Sequence, residues 1–451
     1  MHTEEVQKWT RREFLKTSSA AAVAVGMGGI GMSVASVEAQ EAAAPVPAGE
    51  RIVLGFIGVA GRGSGLMNAF MAHEDVEVGA ICDVYDEHLN AALERAGGQA
   101  KGYKDFRKLL EQKDIDAVVV ATPPHWHALI SIHACEAGKD VYCEKPMCLY
   151  PAEGRAMAKA ARNNDRVTQI GTQVHAGDNF RRAVEIVRSG MLGKIMSTRV
   201  ICTLNEYPGG IGHPADSEPP EGLDWDMWCG PASLVPFNTA RFQSGCHRYF
   251  KQYAGSWLNE LGPHIADLAF WALELGEPTA VSASGGRFVA DDISDIPDTM
   301  DVLWEYPGMT LNWIHTSGNS YNFDFGGPPN RGRRLGVMFH GTKGTLLADY
   351  GSHRIVSEAD ALKDVPPPEP SIPSSPGHER EFLDAIKTRE QPPCNFDYHL
   401  PLATALNLGH IALDTGRKLY WDSKKGEIVG DREANGLIRP KCRKPWKLPK
   451  A

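Results

Sequence analysis

The fold is decided by the stretch Arg51-Ile-Val-Leu-Gly-Phe-Ile-Gly58-Val-Ala60-Gly61-Arg62-Gly63-Ser-Gly65. Its first residues are apolar and partly β-branched, which is typical of a buried strand. A glycine cluster follows, and the residues after Gly65 can continue as a helix. A sharp turn from strand to helix directs backbone N–H groups and the positive end of the helix dipole at one point. The stretch therefore predicts a pyrophosphate site with these cofactor-binding residues: Gly58, Ala60, Gly61, Arg62 and Gly63.

A carboxylate at the end of the second strand indicates which dinucleotide binds. The glycine turn matches G-x-G-x-x-G imperfectly, because Ala60 takes the place of the second glycine. Asp83 follows the apolar run 76–82, about 25 residues beyond Gly58, where a carboxylate accepts the ribose hydroxyls of NAD and repels the 2′-phosphate of NADP. The alternative, which can coexist, is that Asp83 caps a helix over 87–96. We predict NAD, with NADP disfavoured.

Residues 1–39 have the composition of an export signal. Thr10-Arg-Arg-Glu-Phe-Leu-Lys16 precedes a run of small apolar residues from Ala20 to Val37, and a small-residue cleavage site ends at Ala39. The paired arginines resemble the twin-arginine signal, which exports proteins already folded. We expect a periplasmic or otherwise exported protein, with a linker at 40–50 and no stable membrane span after cleavage. The alternative is that the run stays uncleaved as an anchor.

Charge and cysteine content argue against several classes of protein. The net charge is −9, and no basic stripe or tail is large enough to suggest a nucleic-acid partner. The nine cysteines are scattered without metal-ligand spacing, so we expect neither a metal site nor a dense disulfide framework. About 410 residues remain after the signal, which is enough for two domains.

Residues 51–171 alternate between strands and helices, which predicts a Rossmann-type α/β domain with a mostly parallel sheet. The predicted strands are 51–59, 76–83, 115–121, 139–143 and 166–171, and the predicted helices are 63–72, 86–97, 104–112, 125–137 and 151–163. Ligands of such sheets lie beyond the carboxyl ends of the strands.

Polar residues directly after two of these strands are therefore candidates for the cofactor site. They are Thr122, Pro123, His125, His127, Glu144 and Lys145. The alternative interpretation makes residues 122–124 a helix start with surface histidines behind it, and Lys145 a solvated surface charge.

Residues 172–451 predict a second, α+β domain built on a large, mainly antiparallel open sheet. The predicted strands are 195–204, 279–290, 299–306, 309–316, 335–341 and 344–349, and the predicted helices are 175–188, 378–387 and 402–417. Segment 207–238 is rich in proline and glycine and carries Trp225 and Trp228. Such long irregular segments are usually functional or form an arm over a neighbouring surface. We expect the proline-rich tail to wrap the body of the protein.

The segment from Gly255 to Trp271 contains groups suited to proton transfer. On a helix, Glu260, His264 and Asp267 would share one face. An imidazole kept basic by a neighbouring carboxylate can remove a proton from a hydroxyl. Pro263 would kink this helix or start it. The alternative is a helix start with a buried, hydrogen-bonded histidine.

These motifs together resemble the Gfo/Idh/MocA oxidoreductases, which include glucose–fructose oxidoreductase and inositol dehydrogenase. The resemblance rests on the glycine turn, the Thr-Pro-Pro-His-Trp-His run at 122–127, Glu144-Lys145-Pro146 and the Glu260/His264 segment. It implies NAD(P) in the cleft between a Rossmann domain and an open-faced sheet that often builds the oligomer, here a dimer or tetramer. It also implies that Lys145 and His264 flank the substrate carbon. The family usually has Asp where this chain has Glu260, so the role of Glu260 stays open.

We therefore predict an exported NAD-dependent oxidoreductase that acts on a secondary hydroxyl of a sugar, cyclitol or glycoside. Its catalytic residues would be Lys145, His264 and Glu260, and its tightly held cofactor would be recycled in place. The alternatives are an NAD-dependent glycosidase or lyase acting through a keto-sugar, and a non-catalytic sugar-binding protein of the same fold. Candidates for sugar binding are His175, Arg181, Trp225 and Trp228. The tryptophans can instead pack an arm onto a neighbouring subunit.

Overall fold

The first half of the described chain alternates between strands and helices. The computed structural model describes residues 51–243, 245–321 and 335–449, so the signal predicted at 1–39 and the linker at 40–50 lie outside the described residues. The strands are β1 (Ile52–Ile57), β2 (Val76–Cys82), β3 (Lys101–Tyr103), β4 (Ala117–Val120), β5 (Asp140–Glu144) and β6 (Thr168–Gly171). The helices are α1 (Gly61–Met71), α2 (Asp86–Arg95), α3 (Phe106–Leu110), α4 (His127–Glu136) and α5 (Pro151–Asn163).

The first sheet has the order β3-β2-β1-β4-β5-β6, and all of its neighbouring strands pair in parallel. In this order the chain reverses direction across the sheet between β1 and β4, which opens a crevice at their carboxyl ends. The four residues of β4 are all buried, because helices cover both faces of such a sheet. The predicted Rossmann sheet is confirmed, and β3 is an edge strand that the sequence analysis missed.

The second half of the described chain contains nine strands and the other nine α-helices. The strands are β7 (Ile195–Thr203), β8 (Ala280–Gly286), β9 (Thr299–Tyr306), β10 (Met309–Thr316), β11 (Leu335–Gly341), β12 (Gly344–Ala348), β13 (His353–Ser357), β14 (Leu419–Asp422) and β15 (Glu427–Ile428). The helices are α6 (Asp178–Arg188), α7 (Trp225–Cys229), α8 (Thr239–Phe242), α9 (Lys251–Ala254), α10 (Trp257–Ile265), α11 (Asp267–Leu273), α12 (His378–Thr388), α13 (Phe396–Thr415) and α14 (Arg432–Asn435). Short 3₁₀ turns lie at Pro124–Trp126, Gln173–Ala176 and Cys246–Tyr249.

The second sheet has the order β13-β12-β11-β7-β10-β9-β8-β14-β15. Its pairs are antiparallel except for β7 with β10, which run parallel. One face packs against helices: Trp304 and Trp313 are each 1% exposed, and the indole of Trp304 donates to the Ala405 carbonyl on α13 at 2.8 Å. The predicted α+β arrangement on a mainly antiparallel sheet is confirmed.

Pro263 lies inside α10 rather than at its start. The hydroxyl of Ser256 caps this helix by accepting from the Leu258 N–H at 3.1 Å. The helix ends two residues after the proline, and the chain turns into α11 at Asp267. Asp267 therefore leaves the surface that carries Glu260 and His264, and the expected row of three polar side chains on one helix face is not formed.

Two irregular segments connect the halves. Within segment 207–238, Leu223 forms a β-bridge with Tyr85 at the end of β2, so this segment lies over the Rossmann half as an arm. The carboxyl-terminal tail packs Trp446 edge-on against Trp126 at 4.7 Å between ring centroids. The expectation that the tail wraps the body is confirmed.

The nine cysteines are all free thiols, and seven of them are buried. They serve as small apolar residues of the core. In the part of the chain that the structure describes, no helix has the length and apolar character needed to cross a membrane.

Candidate active site

A deep cleft lies at the carboxyl ends of β1, β2, β4 and β5, and residues of the second half form its opposite wall. The cleft holds about 1260 Å³ of empty space, counting its open mouth. The predicted site residues that line it are Gly58, Ala60, Gly61, Arg62, Asp83, Thr122, Pro123, Glu144, Lys145, Trp228 and Glu260.

Two glycines of the turn between β1 and α1 have no room for a side chain. Gly58 has a φ of +82°, and a Cβ there would lie 2.7 Å from the Thr122 nitrogen. A Cβ on Gly63 would lie 2.0 Å from the Gly58 carbonyl oxygen. Ala60 offers no side-chain cap to α1, and the first turn holds no acidic residue. The first N–H groups of α1 are therefore available to phosphate oxygens, and the turn fits a dinucleotide.

Replacement of Gly63 by alanine should weaken NAD binding by roughly 10- to 100-fold, since overpacking costs about 1–3 kcal/mol. The new methyl would press on the Gly58 carbonyl and widen the turn. Titration of the cofactor-free protein with NAD, followed by calorimetry, measures the change. Gly65→Ala is the matched control, because no heavy atom lies within 4 Å of its added Cβ. Equal NAD affinity in the two variants would contradict the assignment of this turn.

Asp83 lines the cleft and also braces the glycine turn. Its Oδ2 accepts from the Val59 N–H at 2.9 Å, and its Oδ1 accepts from the Tyr85 N–H at 3.0 Å. A carboxylate has about four acceptor positions, so two remain for ribose hydroxyls. The N-cap position of helix α2 is Tyr85 and not Asp83, and no side chain caps this helix. The structure is thus compatible with the predicted contact to NAD and adds a structural role for Asp83.

Of the four residues predicted after β4, Thr122 and Pro123 line the cleft and the two histidines do not. The hydroxyl of Thr122 is buried without a partner among the described residues. Both ring nitrogens of His127 lie near carbonyl oxygens, Nδ1 at 2.7 Å from Pro146 and Nε2 at 2.8 Å from Thr122. His125 places Nε2 at 3.0 Å from the Trp228 carbonyl. The histidines were predicted at the cofactor site, but both are buried behind it and position its loops.

Lys145 and Glu260 meet at the inner end of the cleft. The Lys145 Nζ lies 2.8 Å from the Glu260 Oε1 and donates to the Glu260 carbonyl at 3.1 Å. Burial opposes the ionisation of Glu260, but the charges of Lys145 and Arg248 hold the pKa of this carboxyl well below its usual range. Glu260 is therefore an anion that fixes the ammonium group in place. Beside this pair, Glu144 accepts from the Arg62 Nε at 2.7 Å.

His264 lies beside this pair, with its ring 6.3 Å from that of Tyr350. Burial, followed by the positive charge of Lys145, lowers the pKa of His264 to about 3. Its Nδ1 is buried and has no hydrogen-bond partner among the described residues. The expectation that a carboxylate keeps this imidazole basic is not met, because Glu260 binds Lys145. The ring is therefore neutral at neutral pH, and His264 is not among the residues that line the cleft.

His175 and Arg181 were predicted to bind sugar, but the structure places both outside the cleft. His175 is 1% exposed, and its Nδ1 lies 2.8 Å from the Asp267 Oδ2. Arg181 donates to the Pro373 carbonyl and lies 3.2 Å from the Glu381 carboxylate. Both side chains make their polar contacts within the protein, and neither lines the cleft.

The two tryptophans of the arm stack on each other with ring centroids 4.6 Å apart. Trp225 is buried and donates its indole N–H to the Val235 carbonyl at 2.8 Å. Trp228 lines the cleft. The arm therefore contributes one of its two tryptophans to the site and uses the other as internal packing.

Several polar and aromatic residues line the cleft that the sequence analysis did not single out. They are His88, Lys104, Phe242, His247 and Arg248. Lys104 follows β3, so the rule that ligands lie after parallel strands would have found it had that short strand been recognised. The other four lie on helices or in irregular segments where no periodic pattern marks them.

The parallel sheet, the glycine turn and the charged cleft define an NAD-binding oxidoreductase. The chain belongs to the Gfo/Idh/MocA family. The profile described as "Oxidoreductase family, NAD-binding Rossmann fold" matches residues 52–172. The profile described as "Oxidoreductase family, C-terminal alpha/beta domain" matches 179–284 and 333–448, and a "GFO/IDH/MocA C-terminal domain" profile matches 233–347. Both halves of the described chain thus match a family described as oxidoreductases, the first half through its NAD-binding Rossmann fold.

Similar proteins include glycoside hydrolases and a sugar dehydrogenase. A "Glycosyl hydrolase family 109 protein" of Shewanella pealeana is 30% identical over 207 residues, 42% of this chain and 45% of the relative. An "Alpha-N-acetylgalactosaminidase" of Shewanella oneidensis is 29% identical over 206 residues, 41% and 44% of the two chains. The match thus spans less than half the length of these relatives. The structure of the WlbA dehydrogenase from Bordetella pertussis was solved with NADH and UDP-GlcNAcA. It superposes with a TM-score of 0.61 at 18% identity and covers 82% of this chain and 99% of that one. This similarity shows a shared fold.

Proposed function

We propose that this protein is an exported oxidoreductase that transfers hydride to or from a secondary hydroxyl of a sugar, cyclitol or glycoside. The observation that carries the proposal is the Lys145 ammonium, held 2.8 Å from the Glu260 carboxylate in the same cleft as the glycine turn. Bound NAD would supply the hydride acceptor and donor in this cleft. The sugar dehydrogenase of similar fold supports the substrate class.

The chain's own residues provide the proton chemistry of this reaction. An alcohol carbon releases hydride only as its hydroxyl loses a proton. Lys145 carries the positive charge that stabilises the developing alkoxide, and Glu260 keeps this charge in position without leaving the ionised state. His264 is neutral beside this charge, and we assign it as the group that takes the proton.

A glycosidase reaction is the second candidate, because the curated relatives are named as glycoside hydrolases. In this reaction the ring hydroxyl is oxidised, the acidified neighbouring carbon loses a proton with departure of the aglycone, and the hydride is returned after water adds. Incubation with a nitrophenyl glycoside distinguishes the candidates. Release of nitrophenol without net NADH supports the glycosidase, and accumulation of a keto-sugar supports the dehydrogenase.

We further propose that the cofactor is retained and recycled in place. The twin-arginine motif at 10–16 indicates export of a folded protein, and no soluble nicotinamide pool is expected outside the cytoplasm. Retention over hours requires roughly nanomolar affinity or tighter at ordinary association rates. The arm over Tyr85 supports slow release, because it covers the end of β2 beside Asp83.

A desalted sample of the purified protein should stay active without added NAD and should carry close to one nicotinamide per chain by mass spectrometry. Added NAD should change its rate little. Activity that disappears on desalting and returns only with millimolar NAD would contradict retention.

We also propose a dimer or tetramer built on the open face of the second sheet, where Leu303 is half-buried and Ile314 exposed. The molar mass of the purified protein in solution measures the number of subunits.

A further inference from the structure

Arg248 lies on the cleft wall next to the catalytic pair without a close partner. It belongs to the 3₁₀ turn Cys246–Tyr249, and its side chain is about one third exposed. Its Nε is buried with no hydrogen-bond partner among the described residues. The nearest carboxylate oxygen, Oε1 of Glu260, lies 3.6 Å from its Nη2, which is beyond hydrogen-bond distance. Most of the donor capacity of this guanidinium is therefore unused.

Few carboxylates come close to Arg248. Glu260 faces both Lys145 and Arg248. The charge of Glu206, whose carboxylate accepts from the Tyr249 hydroxyl at 3.1 Å, also acts on this guanidinium. Glu144 already binds Arg62 at 2.7 Å. Among the described residues, Glu260 is thus shared between two cations, and no carboxylate lies within hydrogen-bond distance of the Arg248 guanidinium.

We propose that Arg248 binds an acidic group of the substrate, a carboxylate or a phosphate, so that the substrate is an anionic sugar. This inference rests on the proposed function and specifies its substrate class. The planar fork of an arginine matches two oxygens of a carboxylate or phosphate, and such bidentate pairs are stronger and more directional than bonds to sugar hydroxyls.

The neighbouring groups fit this role. The guanidinium lies over the ring of Trp257 at 5.9 Å, which holds it in the wall of the cleft. His247 lines the same wall. Burial lowers the pKa of His247 to about 3, so this ring adds no charge and can donate one N–H to the same acidic group. Arg248 is thus the cation on this wall that is free to bind it.

Calorimetric binding of sugars to the purified, NAD-loaded protein tests the inference without requiring turnover. The neutral probes are glucose and galactose, and the acidic probes are glucuronate, galacturonate and glucose 6-phosphate. At least one acidic probe should bind about 10-fold or more tightly than its neutral counterpart. A preference for the uronates identifies a carboxylate substrate, and a preference for the phosphate ester identifies a phosphorylated one.

Three variants connect this preference with Arg248. Arg248→Gln should abolish the advantage of the acidic probe and leave neutral sugars within about 3-fold, whereas Arg248→Lys should keep part of it. Arg199→Gln is the matched control, because it removes one exposed positive charge on β7, outside the cleft lining. Equal affinities for acidic and neutral probes, or equal weakening of both by Arg248→Gln, would overturn the inference alone. Absence of binding by every sugar would overturn the proposed function as well.

Discussion

Lys145→Met should lower kcat/KM by at least about 100-fold while the protein still folds and carries NAD. Loss of a preorganised charge next to the developing oxyanion typically costs about 2.7–4 kcal/mol of transition-state stabilisation. The methionine retains the aliphatic stem, and Arg248 remains near Glu260, so the carboxylate keeps one cationic neighbour. Steady-state rates with the sugar that the wild type turns over, together with the cofactor content of each sample, measure the effect.

Lys139→Met is the control for simply burying a methionine in place of a lysine. Lys139 is 6% exposed and donates to the carbonyls of Gln112 and Ile115 at 2.7 and 2.8 Å, away from the cleft. Its loss should reduce stability and leave kcat/KM per folded molecule within about 3-fold. If the two variants lose activity equally, or if Lys145→Met loses none, then Lys145 does not act on the reacting oxygen.

His175→Gln should destabilise the protein by about 3–5 kcal/mol at pH 6.5, because it leaves the buried Asp267 carboxylate without its ionic partner. The pair is 1% exposed on each side, and the Tyr398 hydroxyl donates to the other carboxylate oxygen at 2.7 Å. Although burial opposes charge on the imidazole, Cys394 and Asp267 raise the pKa of His175 to about 10. Urea unfolding at a series of pH values measures both stability and its pH dependence.

The sign of the pH effect follows from the direction of this shift. In the unfolded chain a histidine titrates near 6.5, so the contribution of charged His175 is fully present below about pH 6.5. It is lost as the pH rises towards 10, where the folded protein also releases the proton. The stability difference between wild type and His175→Gln should therefore shrink by several kcal/mol over this range. His213→Gln, at a site whose side chain is 61% exposed, should show no such change. Parallel curves for wild type and His175→Gln would contradict the ion pair.

The His175–Asp267 pair also connects the turn after β6 with the helices of the second half. His175 lies in the 3₁₀ turn after β6, and Asp267 is the first residue of α11, directly after the helix that carries Glu260 and His264. In the same turn, Gln173 donates to Glu144 at 3.1 Å. One short turn thus contacts both the Glu-Lys-Pro motif and the catalytic helix, although neither residue contacts the space for the substrate.

The sequence predicts those parts of the site whose chemistry is local. The turn at Gly58 to Gly63 follows from the need for backbone to approach phosphate. Residues directly after parallel strands, such as Lys145, must lie at one sheet edge whatever the rest of the chain does. Each of these signals lies in a few consecutive residues. The order of the strands in the sheet then brings these residues together in one site.

The sequence does not predict the position of a side chain where that position depends on contacts between distant segments. His127 and Lys145 both follow strands, but only the second points into the cleft, because Pro146 and Thr122 bind the imidazole from both sides. Arg248 carries no motif and enters the site because an irregular segment is folded against α10.

The linear order of residues was therefore enough to establish the Rossmann sheet, the mainly antiparallel second sheet, the dinucleotide turn and the lysine beside it. The tertiary structure alone decided that Glu260 binds Lys145, that Asp267 binds His175, and that the Arg248 guanidinium has no hydrogen-bonded carboxylate among the described residues. The physical reason is that periodicity and turn chemistry act over a few residues, whereas ion pairing in a buried cleft depends on which side chains the packing of separate elements brings within about 4 Å.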